Sequence, residues 1–284
     1  MSKTQQNSKV IDFKANIQET LDWVGIESMT LPIQYRSQGH LYRTAAVINL
    51  AVSLGADYKG IDMAKLFFNA QEILANQEID FAELQKLSES LHCKRSLNTS
   101  IEISFDIFTK QNALRSKEEA WRSYPISMEL VNIDGFFEAY LNFEILYAST
   151  CPCSEAASRT ENLPKFQEFL KKSKNPKKDF EKWYLDSGNS FAHPHAQKSK
   201  AKFSLQLQDV PQYPVDFILE MVAELEDLIQ TAVHAGVRQE DEAAFTTRMG
   251  ENLIFIEDAA RKFKEYIKNQ DAIQSSTVEL VHNE

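Results

Sequence analysis

ISMELVNIDGFFEAYLNFEILY, residues 126–147, is the stretch from which the fold is read. Ile126, Met128 and Leu130 recur at every second position, as do Leu141, Phe143, Ile145 and Tyr147, with Asn142 and Glu144 between them. A period of two belongs to a half-buried strand, because successive side chains point to opposite faces of a sheet. Between the two runs stands Asp134-Gly135, a dipeptide suited to the positive φ angles of a type I′ turn. The stretch is therefore a long antiparallel hairpin. Upstream, Ile101, Ile103, Phe105 and Ile107 alternate with Glu102, Ser104 and Asp106, which adds a strand with one wet and one dry face. Further strands are expected near 40–54 and 198–208.

Helical spacing appears over 63–74, 81–91, 216–233 and 251–267. In the last of these, Leu253, Ile256, Ala260, Phe263 and Ile267 form one apolar stripe. Asp216 is the expected N-cap of the helix before it. The order of strands and helices implies an α+β protein of two similar halves, although no sequence repeat marks a duplication. A polar tail, 1–23, precedes the first half, 24–134, and the second half is 135–284. Within the second half, 161–188 carries Lys165, Lys171, Lys172, Lys174, Lys177, Lys178 and Lys182 in an otherwise acidic chain. The plain reading of such a run is a solvated helical insertion.

A chain of 284 residues with 43% apolar and 25% charged residues buries a core without covalent staples. Its formal charge of -10 argues against broad binding to nucleic acid or anionic membrane, since no excess of cations is available to release counterions. The N-terminus lacks the apolar segment of a secretory signal, and no apolar run is long enough to span a bilayer, so a cytoplasmic protein is expected. The three cysteines, Cys93, Cys151 and Cys153, suit reduced thiols better than a disulfide framework.

Two of those thiols open a chemical possibility. Cys151-Pro152-Cys153-Ser154 follows directly on a strand, and His193-Pro194-His195 precedes another. Thiolate and imidazole together suit zinc or another late divalent metal, with a carboxylate or water to complete the shell. Taken alone, the same residues also read as a small buried thiol and solvated histidines.

Three ordered blocks carry a resemblance that spans the chain from about Val24 to its end. Cys151-Pro152-Cys153-Ser154 resembles the Ser-Cys-Pro-Cys-Ser segment of type IB GTP cyclohydrolases, and His195-Ala196-Gln197-Lys198-Ser199 resembles their His-Xaa-Gln-Arg-Ser segment. Arg238-Gln239-Glu240-Asp241-Glu242, with Thr246, Glu251-Asn252 and Phe255-Ile256-Glu257-Asp258, is similar to the family's Lys-Arg-Pro-Asp-Glu…Thr-Glu…Glu-Asn-Pro-Lys-Phe-Val-Glu-Asp run. The resemblance implies a bimodular tunnelling fold, in which antiparallel sheets with helices on one face associate into an oligomeric barrel, a tetramer with active sites between subunits. It implies metal ligation by Cys151, His195 and Glu242, with zinc, manganese or iron as the divalent ion. It also implies a purine-anchoring carboxylate at Glu257, whose two acceptors match the adjacent N1–H and 2-amino donors of guanine. The implied reaction is hydrolysis of the guanine imidazole ring of GTP to 7,8-dihydroneopterin triphosphate and formate, a step towards folate. Cys153 falls outside the ligand set, and His193 has no counterpart.

The departures from the pattern share a direction. In Lys59-Gly60-Ile61-Asp62-Met63-Ala64-Lys65, Asp62 stands where the family has histidine and Lys65 where it has arginine. Glu155 stands in place of lysine, and Lys198 in place of arginine. Lys65 and Lys198 remain the expected phosphate-binding cations, but lysine lacks the forked donor pair of arginine. The pattern therefore leaves room for a less phosphorylated guanine compound as substrate, or for a purine- or pterin-binding relative without turnover. Val278 to Glu284 is similar to the approach to a family segment, Ser-Ile-His-Asn-His-Asp-Ala, that supplies histidines to the active site. On the sequence, His282 is not given the role of one of those histidines.

Overall fold

A computed structural model describes residues 13–283. Seven antiparallel strands lie side by side in chain order. They are β1 (Leu21–Ser37), β2 (His40–Leu54), β3 (Thr99–Asn112), β4 (Glu119–Ile133), β5 (Phe136–Thr150), β6 (Ala196–Leu207) and β7 (Ile273–Asn283). Seven helices complete the described residues: α1 (Met63–Leu74), α2 (Phe81–Leu91), α3 (Pro152–Lys172), α4 (Pro176–Leu185), α5 (Pro214–Ile229), α6 (Gln239–Glu251) and α7 (Ile256–Lys268). The protein is α+β.

The central hairpin forms as its sequence requires. Ile133 pairs with Phe136 across the turn, and both Asp134 (φ 52°) and Gly135 (φ 88°) take positive φ, as type I′ demands. Asn132 closes the turn by accepting from the Gly135 amide at 3.0 Å. The apolar phase of each strand forms the core: Ile101, Ile103 and Ile107 of β3 and Leu141, Ile145 and Tyr147 of β5 are fully buried. Helices α1 and α2 pack against the β1–β4 half, while α5 and α7 cover the β5–β7 half, and α5 also reaches β1.

Four local expectations are corrected. The helix expected over 216–233 starts at Pro214 behind Tyr213 and ends at Ile229, because proline at the first helical position presets φ. Asp216 lies inside that helix and accepts from the Gln38 amide at 2.9 Å, so it ties α5 to the β1–β2 turn instead of capping. The helix expected over 251–267 is split: α6 ends at Glu251 and α7 begins at Ile256. The link between them is held to β5, with the Ile254 amide donating to the Thr150 carbonyl at 3.1 Å. Finally, much of the tail expected over 1–23 lies outside the described residues, but Leu21 to Trp23 already belong to β1.

Candidate active site

The register of β5 and β6 decides which candidate ligands meet. Thr150 and Ala196 are the last paired residues, so Cys151 and His195 are the next residues on each chain, facing each other just beyond the ladder. At Cys151 the chain leaves the strand and becomes the N-cap of α3, with Pro152 at the first helical position. The His195 amide donates to the Ser154 hydroxyl at 3.0 Å, which ties the two strand ends together. Cys151 is unbridged and half-buried, and His195 is exposed.

The inward phase of both strands turns polar one step deeper. On β5 it runs Leu141, Phe143, Ile145, Tyr147 and then Ser149, and on β6 it runs Leu205, Phe203, Ala201 and then Ser199, all of them buried. Ser199 lies opposite His282 of β7. The His282 imidazole is bound at Nε2 by the Tyr147 hydroxyl, 2.8 Å away, and at Nδ1 by the Ser149 hydroxyl, 3.2 Å away. Ser149 and Ser199 share a further hydrogen bond of 2.8 Å. Burial pushes the Tyr147 phenol well above its usual range, so it stays a neutral hydroxyl. It donates to Nε2 in the imidazole tautomer protonated at Nδ1 and accepts in the other. Burial also lowers the His282 pKa, while nearby Glu257 pulls it up.

Glu257 reaches this site through the link between α6 and α7. Leu253 bridges to Thr150, and the Asn252 side chain donates to the Ile229 carbonyl at 2.5 Å. These contacts start α7 beside the end of β5, with Glu257 exposed in its first turn. A carboxylate there is favoured by the helix dipole.

The remaining candidates are placed differently. Glu242 is exposed in the first turn of α6. Its neighbour Asp241 is fully buried and accepts from the Arg115 amide at 2.7 Å and from the Ser116 hydroxyl at 2.6 Å, which anchors α6 to the β3–β4 loop. The Ser116 hydroxyl is the main cause that holds the Asp241 carboxyl far below the usual carboxylate range. Among the described residues no three His, Cys, Asp or Glu side chains stand together as a metal site, so one protomer does not gather Glu242 with Cys151 and His195. Lys198 is exposed on β6, on the opposite face from Gln197 and Ser199 by strand alternation. Lys65 opens α1 just after β2, at the sheet end where Thr99 pairs with Asn132 and Asn132 with Phe137. From Phe137 to Ser149 along β5 is about 40 Å, so Lys65 and Cys151 belong to opposite ends of the sheet. Asp62 caps α1 by accepting from the Lys65 amide at 3.2 Å, and Glu155 is paired with Arg159 at 2.6 Å. Cys153 and His193 are exposed and join none of these contacts.

His282, Tyr147, Ser149 and Ser199 form a polar cluster beside the candidate site that sequence reasoning missed. Their signal was present: a serine at the core phase of two neighbouring strands marks a buried polar group in need of partners.

These features define an α+β protein with a buried, hydrogen-bonded polar cluster at one end of an antiparallel sheet. The family model described as "Type I GTP cyclohydrolase folE2" matches residues 8–284, and the chain belongs to that family. Its activity is that of a GTP cyclohydrolase. The GTP cyclohydrolase FolE2 of Bdellovibrio bacteriovorus is 32% identical over 271 residues, which cover 93% of this chain and 87% of that protein. The GTP cyclohydrolase FolE2 of Chromohalobacter salexigens is 31% identical over 98% of this chain and 92% of its own length. Among solved structures, a uricase from Arthrobacter globiformis aligns over 91% of this chain and 80% of its own, with a TM-score of 0.47 and 10% identity. No helix among the described residues is long and apolar enough to cross a membrane.

Proposed function

We propose that Cys151, His195 and Glu242 hold a divalent metal, and that beside it Glu257 and His282 bind and process the guanine ring of GTP. The observation that carries this reading is the meeting of Cys151 and His195 beyond the last rung of β5 and β6, next to the His282–Glu257 pair. Thiolate and imidazole fit zinc, and manganese or iron accept the same donors once a carboxylate joins them. When bound, such an ion supplies Lewis acidity and lowers the pKa of water to near neutrality.

The other groups divide the remaining work. Glu257 accepts from N1–H and the 2-amino group and so orients C8. In this reading Tyr147 donates to Nε2 of His282 and Ser149 accepts from Nδ1–H, which fixes the neutral tautomer, and Glu257 raises the proton affinity of that imidazole against burial. His282 is thereby placed to take up a proton as water adds and the ring opens. The products are formate and, after rearrangement, 7,8-dihydroneopterin triphosphate.

Assembly belongs to the same reading. Glu242 is exposed and unmatched within one protomer, so it closes the ligand set where two copies meet. Among the described residues β1 and β7 are the edges of the sheet, with the backbone of residues 76–79 bonded to β1 only at Pro32 and Gln34, and open edges are sites for pairing with further copies. Closure of modules 24–134 and 135–284 into a tunnelling-fold tetramer would use them. Three unbridged thiols suit the cytoplasm. A second reading, a less phosphorylated guanine substrate, is favoured by the replacement of arginine by Lys65 and Lys198, since lysine makes no bidentate contact with phosphate.

The test is metal content and formate release for the wild type, Cys151→Ala and His195→Ala, with GTP, GDP, GMP and guanosine. Both variants should lose metal and turnover together. Full metal occupancy in either would remove that residue from the ligand set, and a preference for GMP or guanosine would favour the second reading.

A further inference from the structure

Between Cys151 and His195 the chain makes a long excursion through α3 and α4, and the return segment is fastened to α3 at two levels. At the first, the His195 amide donates to Ser154 at 3.0 Å. At the second, the Asn162 side chain clasps the backbone of Ala192 from both sides: its Nδ2 donates to the Ala192 carbonyl at 2.8 Å, and its Oδ1 accepts from the Ala192 amide at 2.7 Å. The two levels are eight residues apart on one helix, about 12 Å along its axis. Phe191 stacks on Phe166 of α3, with ring centroids 5.7 Å apart and planes at 24°. Pro194 lies between the two fastenings and has a fixed φ.

We propose that Asn162 is a positioning residue for His195, and that α3 serves as one frame for both strand-end ligands. Cys151 is the N-cap of that helix, so the thiol is fixed to its start. Asn162 makes the return segment follow the same helix. An amide side chain is the natural choice, because it satisfies one backbone donor and one backbone acceptor at once, as a neighbouring strand would. Half-burial of Asn162 strengthens both bonds relative to open solvent. The insertion between the two ligands therefore sets their separation, and a shift of α3 moves both together.

The inference rests on Cys151 and His195 being metal ligands, so its test must separate the two claims. Metal-free protein is titrated with Co2+. Thiolate-to-cobalt absorption reports Cys151, the intensity of the d–d bands reports coordination geometry, and hydrogen exchange is followed over residues 190–195. Asn162→Ala should weaken Co2+ binding about tenfold, the low end for groups that orient a ligand. It should also keep the thiolate band and speed exchange at Ala192. Leu170→Ala, on the exposed far part of α3, should change none of these. Should Asn162→Ala fail to fold, Asn162→Asp keeps the acceptor and loses the donor, and it must bind Co2+ less tightly than the wild type. A wild-type isotherm and spectrum in the folded Asn162 variant overturns the positioning role. A thiolate band that persists in Cys151→Ala, or an unchanged affinity in His195→Ala, overturns the ligand reading instead, whatever Asn162 does.

Discussion

Replacing Tyr147 by Phe removes one oxygen and leaves the ring, which is fully buried and packed edge-on against Phe263 with centroids 6.0 Å apart. What is lost is the 2.8 Å hydrogen bond to His282 Nε2. A buried hydrogen bond contributes about 1 kcal/mol net, and an imidazole nitrogen left without a partner adds about 1 kcal/mol more, so about 2 kcal/mol of stability should go. For a chain of this size that lowers Tm by about 5 °C. The pH dependence carries the functional content. Burial lowers the His282 pKa in the fold, so the stability it contributes is fully present above the unfolded value of about 6.5 and is lost as pH falls through the folded value. In the proposed tautomer Tyr147 supports the neutral form by donating to Nε2. Without that donor the folded pKa should rise towards 6.5, and the acid-side loss of stability should become shallower. The acid limb of the kcat/KM profile should move to higher pH, with kcat/KM down about tenfold at neutrality, equivalent to about 1.4 kcal/mol. The measurements are urea unfolding at a series of pH values and formate release over the same range. Unchanged stability and an unmoved acid limb in the Tyr147→Phe enzyme would refute the tautomer assigned to His282.

Glu257→Gln turns one acceptor into a donor facing the donors of guanine, so KM should rise about 10- to 100-fold while metal content stays unchanged; loss of metal would mean that Glu257 and Glu242 have exchanged roles. Arg122→Met breaks a buried pair, since Arg122 lies 2.9 Å from Glu226 with both side chains under a tenth exposed, and it should cost about 3–5 kcal/mol in urea unfolding. A cost below about 1 kcal/mol would show that Gln111 and Tyr124, at 2.7 and 3.0 Å from the same carboxylate, suffice to hold it. Neutralising Lys171, Lys172, Lys174, Lys177 and Lys178 should leave the ratio of GTP to GMP turnover within a protomer's own site unchanged, because Lys171 and Lys172 end the 21-residue α3, about 30 Å from Cys151, and Lys174, Lys177 and Lys178 lie just beyond that end; a collapse of that ratio would show that the lysines reach a neighbouring site. Lys65→Ala and Cys151→Ala, each inactive alone, should regain partial activity when mixed under subunit exchange if Lys65 serves another copy's site, and no recovery would remove Lys65 from phosphate binding.

The parts of the fold legible from sequence are those where a single periodicity decides. β2, α1 and α2 lie where their spacing placed them, since each has one apolar phase and clear ends. β1 was missed because Gly25 and Pro32 interrupt it. Both fit an edge strand: proline needs no ladder donor on the side away from β2, where its carbonyl accepts from the Asn76 amide at 2.7 Å, and Gly25 lies so close to β2 that an added Cβ would sit 1.9 Å from the Leu50 carbonyl oxygen. β7 was missed because it is half-buried with only one neighbour, which dilutes its alternation. The split between α6 and α7 was hidden because Leu253 fits the helical stripe, whereas its backbone bridges to Thr150.

The site divides along the same line. Cys151 and His195 could be named from residue type and resemblance, but their meeting depends on the register of β5 with β6, and periodicity alone does not fix register. Local sequence says that each strand end carries a ligand, and only the Thr150–Ala196 pairing says that the two ends coincide. His282 shows the reverse case. On the sequence it follows Val278, Leu280 and Val281 and was not given the role of a family histidine, and its neighbours in sequence, Val281 and Asn283, are exposed. What gives it chemistry is the row across three strands, where Ser149 and Ser199 replace apolar residues at the core phase and Tyr147 closes the far side. A buried serine without a partner costs free energy; Ser149 and Ser199 bond each other at 2.8 Å, and His282 takes up further capacity of Ser149 at 3.2 Å while Tyr147 binds its other nitrogen.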